Sequence, residues 1–438
     1  MNKRQHFKIN LNVKLLVKLR DQINSKQLIS IQKQYKPRKH EQQSAWDMIC
    51  AIMDRLDDEC YYLNKKELHK EETREAFSFL DFLNHSAVMI DCIKELSRIF
   101  DAAFDDYEKT LNCFTEKGIN GKGTDKQYFE YLRSICAVHP IYTDRHEEYQ
   151  GAGAIECCPF VVWQRDLYNE NSGDLTAVIY NSQTKEYCKR LSINVSEVFS
   201  FVKACFEYTR QIVQKVKQYQ KDKVNKYRQE HINLPEESDS YGSYLENLKN
   251  ETTKRQDYLS DNLNYACQLE ELRLTDERNI QKFSLYKNAI KYALTFVHKQ
   301  LQDMRNKKYK YNGMKYCKEN IETSLFHEIL YLDGVTCSVP GYIYSVGKIV
   351  VFLNPESRNI WLAESEYSKM LPFIKQYVYV SEEEGYFERY VLMEVAFYLN
   401  KLENICLMNV NLPNSLDFRE KLLSENELLT LQSNFQKA

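Results

Sequence analysis

The chain has 438 residues, of which 43% are apolar and 28% charged, and its formal net charge is −2. This is the composition of an ordinary soluble protein of about two to three domains, without the excess of positive charge that would draw the whole molecule to nucleic acid. No apolar run approaches the roughly eighteen residues of a membrane span, no apolar leader follows the basic N-terminus, and the thirteen cysteines include no C-x-x-C pair. Scattered cysteines in odd number read as reduced core thiols of a cytoplasmic protein, with neither a disulfide framework nor a zinc site. Only 12 glycines and 8 prolines are present, which favours long helices over a sheet protein rich in tight turns.

Residues 1–40 hold eleven Lys and Arg against one acid, Asp21. They read as a basic N-terminal arm with a weakly amphipathic helix over 11–35, broken at Pro37. Such an arm can lie on phosphates, with Lys36, Arg38 and Lys39 as candidate RNA contacts; a solvated surface helix is the alternative. A second helix runs from Ser44 to about Leu68, with Trp46, Ile49, Ile52, Met53 and Leu56 on one side. The third, Ala76 to Phe100, is apolar all round and belongs at the centre of a bundle. Asn84, His85 and Asp91 are its conspicuous polar residues. Asn84 and Asp91, seven apart, share a face.

A Gly-rich loop, KGINGKGTDK (117–126), leads into the next helix but lacks the spacing of a P-loop. It reads as a connector, with phosphate binding at the following helix start as the alternative. Thr124 with Gln127 forms a T-x-x-Q capping box, and Tyr128, Phe129, Leu132, Ile135 and Cys136 recur at helical spacing. Pro140 ends the helix near His139. Arg133 lies just before that end. An Arg can hold a phosphate and its developing charge, and a His can move protons near neutral pH. On a straight helix the two would diverge by about 120°, putting His139 on the apolar face, so joint action requires the helix to stop first.

Arg133 and His139, on a late helix of a bundle that follows a nearly uniformly apolar one, resemble the Arg-x(4–6)-His motif of the HEPN superfamily of all-α domains. The resemblance spans roughly Ser44 to His231, and Ser134 stands where Asn is common in the family. It implies metal-independent cleavage of RNA, with roles in phage defence or toxin–antitoxin control, and a homodimer that brings two copies of the motif together. Arg133 and His139 are then catalytic, Ser134, Asn84 and Asp91 support them, and Arg145 and His146 contribute RNA binding.

Downstream the period changes. CCPFVVWQ and DLTAVIYNS read as a β-hairpin at about 157–182. Asn194, with Glu197 three residues on, caps a long helix to about Arg228. HINLPEESDSYGS is a linker. From Leu245 to Met304 two helices read as an antiparallel pair with its bend at Glu270, Glu271, Asp276 and Glu277, and 316–404 reads as a small α+β region with short strands in TCSVPGYIYSVGKIVVFL and YVYVS. His327–Glu328 has no second His at zinc-protease spacing. The expected architecture is therefore mainly α: a basic arm (1–40), a HEPN-like helical bundle with an inserted β-hairpin (41–233), then a helical pair and an α+β C-terminal region (245–438).

RNA supplies its own nucleophile, the 2′-OH, so a proton-transfer group and a cation suffice for cleavage without a metal or cofactor. His139 is base or acid in this scheme. Two other readings use the same residues: a non-catalytic module binding RNA, nucleotide or protein, and a helical adaptor in which His139 is packed. The expected partners are RNA, a second copy of the chain, and a protein regulator or antitoxin; no membrane is involved.

Overall fold

The computed structural model describes residues 6–25, 29–69, 76–164, 173–184, 188–255, 260–274, 276–304, 311–312, 315–316 and 335–407. The chain forms two compact units, Met1–Lys223 and Val224–Ala438, each with its own core. Both are mainly helical, with small antiparallel sheets.

In the first unit, β1 (His6–Lys8) pairs antiparallel with β4 (Glu67–His69), Phe7 opposite Leu68. Helix α1 (Lys14–Asn24) buries Leu15, Leu16, Leu19 and Ile23, an apolar stripe at helical spacing, and Arg20 forks onto Asp54 and Asp57. The described part of residues 1–40 is thus packed into the first unit and forms no separate arm. Among the described residues of this stretch, the apolar stripe lies in the core of the unit and Lys14, Lys18, Lys36, Arg38 and Lys39 are exposed. A short helix α2 (Ile31–Tyr35) and the two-residue strands β2 (Lys39–His40) and β3 (Gln43–Ser44) lead into α3 (Ala45–Lys65), capped by Ser44. Helix α4 (Phe77–Ile99) is the expected central element. Phe79, Phe82, Leu83, Met89, Ile90, Ile93 and Leu96 are all buried, with α3 packed on one side and the Phe199 ring tilted against Phe82 from another. The short α5 (Phe104–Lys109) follows.

The loop over 117–123 is pinned, not loose. Gly118 has φ +75°, and a Cβ there would collide with the backbone carbonyl of Glu148, which accepts from Ile119 N at 2.7 Å. Helix α6 (Asp125–Arg133) opens with the expected Thr124–Gln127 capping box. It then widens into one π turn, Ser134–Val138, before the short α7 (Glu147–Gln150).

Three strands follow instead of a two-stranded hairpin: β5 (Glu156–Trp163), β6 (Leu175–Asn181) and β7 (Lys189–Ile193), antiparallel in that order. Ala177 lies between Val161 and Leu191. β5 packs on the π turn. The single long helix expected from Asn194 divides at Tyr208 into α8 (Val195–Glu207) and α9 (Thr209–Gln229).

The second unit begins inside α9, ahead of the expected linker. Arg255 explains why: its side chain is fully buried and donates to the carbonyls of Tyr227 and Glu230, drawing the end of α9 into this core. Helices α10 (Tyr241–Arg255), α11 (Ser260–Glu271) and α12 (Glu277–Gln302) precede a two-stranded pair, β8 (Tyr311–Asn312) and β9 (Lys315–Tyr316). The strands expected in GYIYSVGKIVVFL are absent. That stretch is α13 (Tyr342–Ile349) and a 3-10 turn (Val350–Leu353), with Ser345, Val346 and Ile349 buried at helical spacing. Helices α14 (Ile360–Tyr377) and α15 (Tyr386–Leu407) complete the described part, so this region is helical where α+β was expected. His327 and Glu328 lie outside the described residues. No helix among the described residues is long and apolar enough to cross a membrane.

Candidate functional site

The π turn decides the geometry. His139 N–H donates to the Ser134 carbonyl at 2.7 Å, five residues back, and His139 itself leaves the helix at φ −128°, ψ 53°. Its side chain is therefore exposed instead of entering the apolar face as a straight α-helix would force. Among the described residues its ring has no hydrogen-bond partner, unlike the packed His139 of an adaptor.

Arg133, the last residue of α6, is half-buried. Its Nε donates to Asn84 Oδ1 on α4 at 3.4 Å, and no carboxylate among the described residues pairs with it. The terminal nitrogens of its guanidinium remain available for a bidentate partner. Asp91 lies two turns along α4. Although exposed at the surface, its carboxyl is desolvated enough to raise its pKa, with Arg133 and then Lys94 pulling the other way. Asn84 thus touches Arg133 directly, whereas Asp91 meets it only through its electrostatic pull.

Ser134 has a different task. Its buried hydroxyl meets Thr143 Oγ1 at 3.0 Å and so anchors the returning chain. Other bonds hold the same loop: Thr143 and Glu156 exchange backbone bonds at 3.0 and 2.9 Å, Cys158 N donates to Pro140 O at 2.6 Å, and Gln150 Nε2 donates to Thr143 O at 2.9 Å. Beneath lies the fully buried Glu156, which accepts from Tyr131 Oη at 2.8 Å and Asn181 Nδ2 at 2.8 Å, with Lys189 Nζ at 3.9 Å. Tyr149 stacks on Tyr131 at 5.1 Å and is core, not rim. Val138, Ile141 and Tyr142 are exposed beside His139, Ile141 by 81%.

The loop brings back a second imidazole. The half-buried His146 meets the Tyr131 ring edge-on at 5.7 Å, and its backbone N–H donates to Gln150 Oε1 at 2.9 Å. Burial lowers its pKa; Glu148 and Glu156 raise it, while Arg145 and His139 lower it further. Arg145 is exposed on the same loop.

The remaining candidates are spread over the unit. Lys36 and Lys39 are exposed; Arg38 lies 4.3 Å over the Tyr35 ring and donates to Tyr219 Oη at 2.6 Å. The hairpin they flank is tied to α4 through His40 Nε2 and Glu95 Oε2 at 3.2 Å, one turn past Asp91. His85 is occupied elsewhere, its Nδ1 2.6 Å from the buried Glu59 and its Nε2 3.5 Å from Asp81. A separate cleft of about 600 Å³ in the second unit is lined by Glu246, Glu270 and Glu271, a poor lining for a phosphate. Among the described residues no group of three or more His, Cys, Asp or Glu could hold a metal ion.

No protein-family model, curated protein or solved structure matches the chain.

Proposed function

We propose that the first unit is a metal-independent endoribonuclease of HEPN type. The observation supporting this reading is the end of α6, where a guanidinium steadied by Asn84 keeps its terminal nitrogens uncommitted and an exposed, unpartnered imidazole follows at the π turn. Arg133 holds the scissile phosphate bidentately and stabilises the charge that grows on it as the 2′-oxygen attacks. His139 takes part in the proton transfers. The products are a 2′,3′-cyclic phosphate and a 5′-OH.

The exposed Val138, Ile141 and Tyr142 form an apolar rim suited to a second copy of the chain, which would bring a second Arg133 toward the phosphate. Restriction of RNA in phage defence, or as a toxin held by an antitoxin, is the biological setting proposed. Incubation of the purified chain with bulk RNA in EDTA tests the chemistry. Cleavage is expected for the wild type and should be lost in Arg133→Ala and in His139→Ala, both retaining native circular dichroism. Cutting that requires Mg²⁺, or that survives both substitutions, refutes the reading; RNA retention without cutting by any chain would mark a binding module.

A further inference from the structure

Arg133 grips one phosphate, whereas an RNA strand carries one at every nucleotide and needs cations for the others. Helix α4 leads from Arg133 to a second set of cations. Asn84, which accepts from Arg133 Nε, and Glu95, 3.2 Å from His40 Nε2, are both on this helix. Eleven residues separate them, which returns to within about 20° of the same face some ~16 Å along the axis. His40 belongs to the β2–β3 hairpin, and Tyr35, just ahead of it, packs on Phe100 at the end of α4 with ring centroids 5.2 Å apart.

We infer that RNA crosses this face of α4, its phosphate backbone held at the far end by a basic surface built from the β2–β3 hairpin and α9, with Arg38 as the fixed contact. The inference rests on the ribonuclease reading for the end at Arg133. Its first support is the way Arg38 is held. The guanidinium lies 4.3 Å from the centre of the Tyr35 ring and 5.2 Å from that of Tyr219, and its Nη2 donates to Tyr219 Oη at 2.6 Å. The backbone beneath is bonded too: Arg38 N donates to Tyr35 O at 3.1 Å, and Ala45 N to Arg38 O at 3.0 Å. Arg38 is nevertheless exposed, and no carboxylate among the described residues pairs with it. Of its five N–H donors the bond to Tyr219 takes one, so an edge stays open to a phosphate.

The second support is charge. Lys36 and Lys39 are exposed on either side of Arg38. On α9, Lys215 is exposed one turn before Tyr219, and Lys223, one turn after it, brings its ammonium to 5.9 Å from the same ring. The stretches 36–44 and 215–223 together hold seven Lys and Arg against two acids, Glu41 and Asp222, in a chain of net charge −2. Asp222 accepts from Gln218 at 2.7 Å. On α4 between the two ends, Glu95 is engaged by His40 and Arg98, which leaves Asp91 as the acid on the path. A local excess of positive charge on an otherwise balanced chain suits a polyanion, and the helix shared with Arg133 commits this surface to RNA instead of an acidic protein.

Binding is read on the full chain carrying His139→Ala, so that RNA is not consumed, from the anisotropy of a fluorescein-labelled single-stranded RNA in EDTA over a range of salt. The double substitution Lys36→Ala, Lys39→Ala should weaken binding about tenfold or more at about 100 mM salt. It should also flatten the slope of log affinity against log salt by about 1.4, or about 0.7 for each phosphate contact removed. Arg38→Gln should lower affinity as well. Both lysines are exposed, so the double variant folds even where Arg38→Gln, which gives up two ring contacts, melts early. Lys375→Ala, which removes an exposed cation from α14 in the second unit, should bind as the parent does. Unchanged affinity and slope in the double variant overturn the inference, as does an equal loss in Lys375→Ala or parental binding by a folded Arg38→Gln chain. Cutting by the wild type then leaves the ribonuclease reading standing. Salt-dependent binding through these residues by a wild type that cuts nothing removes the cleavage reading and keeps the surface. A chain that binds no RNA, or that takes an acidic protein there and no RNA, overturns the inference.

Discussion

Glu156→Ala should be among the most damaging single substitutions in the first unit, although Glu156 is not placed among the reacting groups. Its carboxyl is fully buried and accepts from Tyr131 and Asn181. Removing it leaves the Tyr131 hydroxyl without a partner in a residue with no solvent exposure, a loss of about 1–3 kcal/mol. Asn181 keeps the Gln150 carbonyl at 3.0 Å, and Lys189, 35% exposed at its side chain, can turn to water, so neither adds the full penalty of a stranded group. With the broken ion pair and the vacated volume, a total of roughly 3–5 kcal/mol is expected. For a unit of this size each kcal/mol lowers the melting temperature by about 2–4 °C, giving a drop of about 6–20 °C. Circular dichroism and the fluorescence of Trp163, which is buried in β5, report it on the full chain. Glu156→Gln retains an acceptor for Tyr131 and should lose less than half as much. An Ala variant that melts within about 2–4 °C of wild type, a loss near 1 kcal/mol, would show that this network does not hold the loop.

Removing residues 1–35 should abolish native folding of the first unit, because it strips eight buried aliphatic side chains (Ile9, Leu11, Leu15, Leu16, Leu19, Ile23, Ile29 and Ile31). At about 1.5–3 kcal/mol each, this rivals the whole stability of a typical domain. A truncated chain with native dichroism and protease resistance would contradict that packing. In the second unit, burial raises the Glu394 pKa to about 7 against the pull of Lys401 and a hydrogen bond with Tyr390. A raised folded pKa means that the protonated form is preferred in the native state, so its stabilising contribution is full below the unfolded value and fades as pH rises through about 7. The urea midpoint of this unit should fall as pH rises from 4.5 to about 7 in the wild type and level off above that, and should stay level in Glu394→Gln; equal slopes over that range would refute the assignment.

The parts of this fold legible in the sequence are those fixed by local chemistry. Thr124 and Gln127 announce the start of α6, Pro140 its end, and the apolar circumference of α4 its central place. Asn84 and Asp91 lie on one face of α4 because seven residues make two turns, whereas the bond from Arg133 to Asn84 is a contact between helices. Elements settled by tertiary context were misread. Tyr342–Leu353 has a β-branched composition that suggests strands, yet its buried residues recur at helical spacing once a core exists to receive them. β7 was hidden because Lys189 and Arg190 begin it, and its pairing depends on β6. The loop between His139 and His146 is closed through bonds of Thr143 and Pro140 to β5, which a local sequence pattern does not announce.

The wide turn at Ser134–Val138 has a consequence for chain length. It accommodates one residue more than an α turn, and the surplus is confined between the last α-helical residue, Arg133, and the exit at His139. Shortening this stretch by one residue would let an ordinary four-back bond close the turn, with the upstream helix and the downstream loop keeping their anchors. The helix end thus carries slack for a single insertion or deletion. The count of residues between such an arginine and histidine measures how the intervening turn is wound, and is no ruler for the separation of the two side chains.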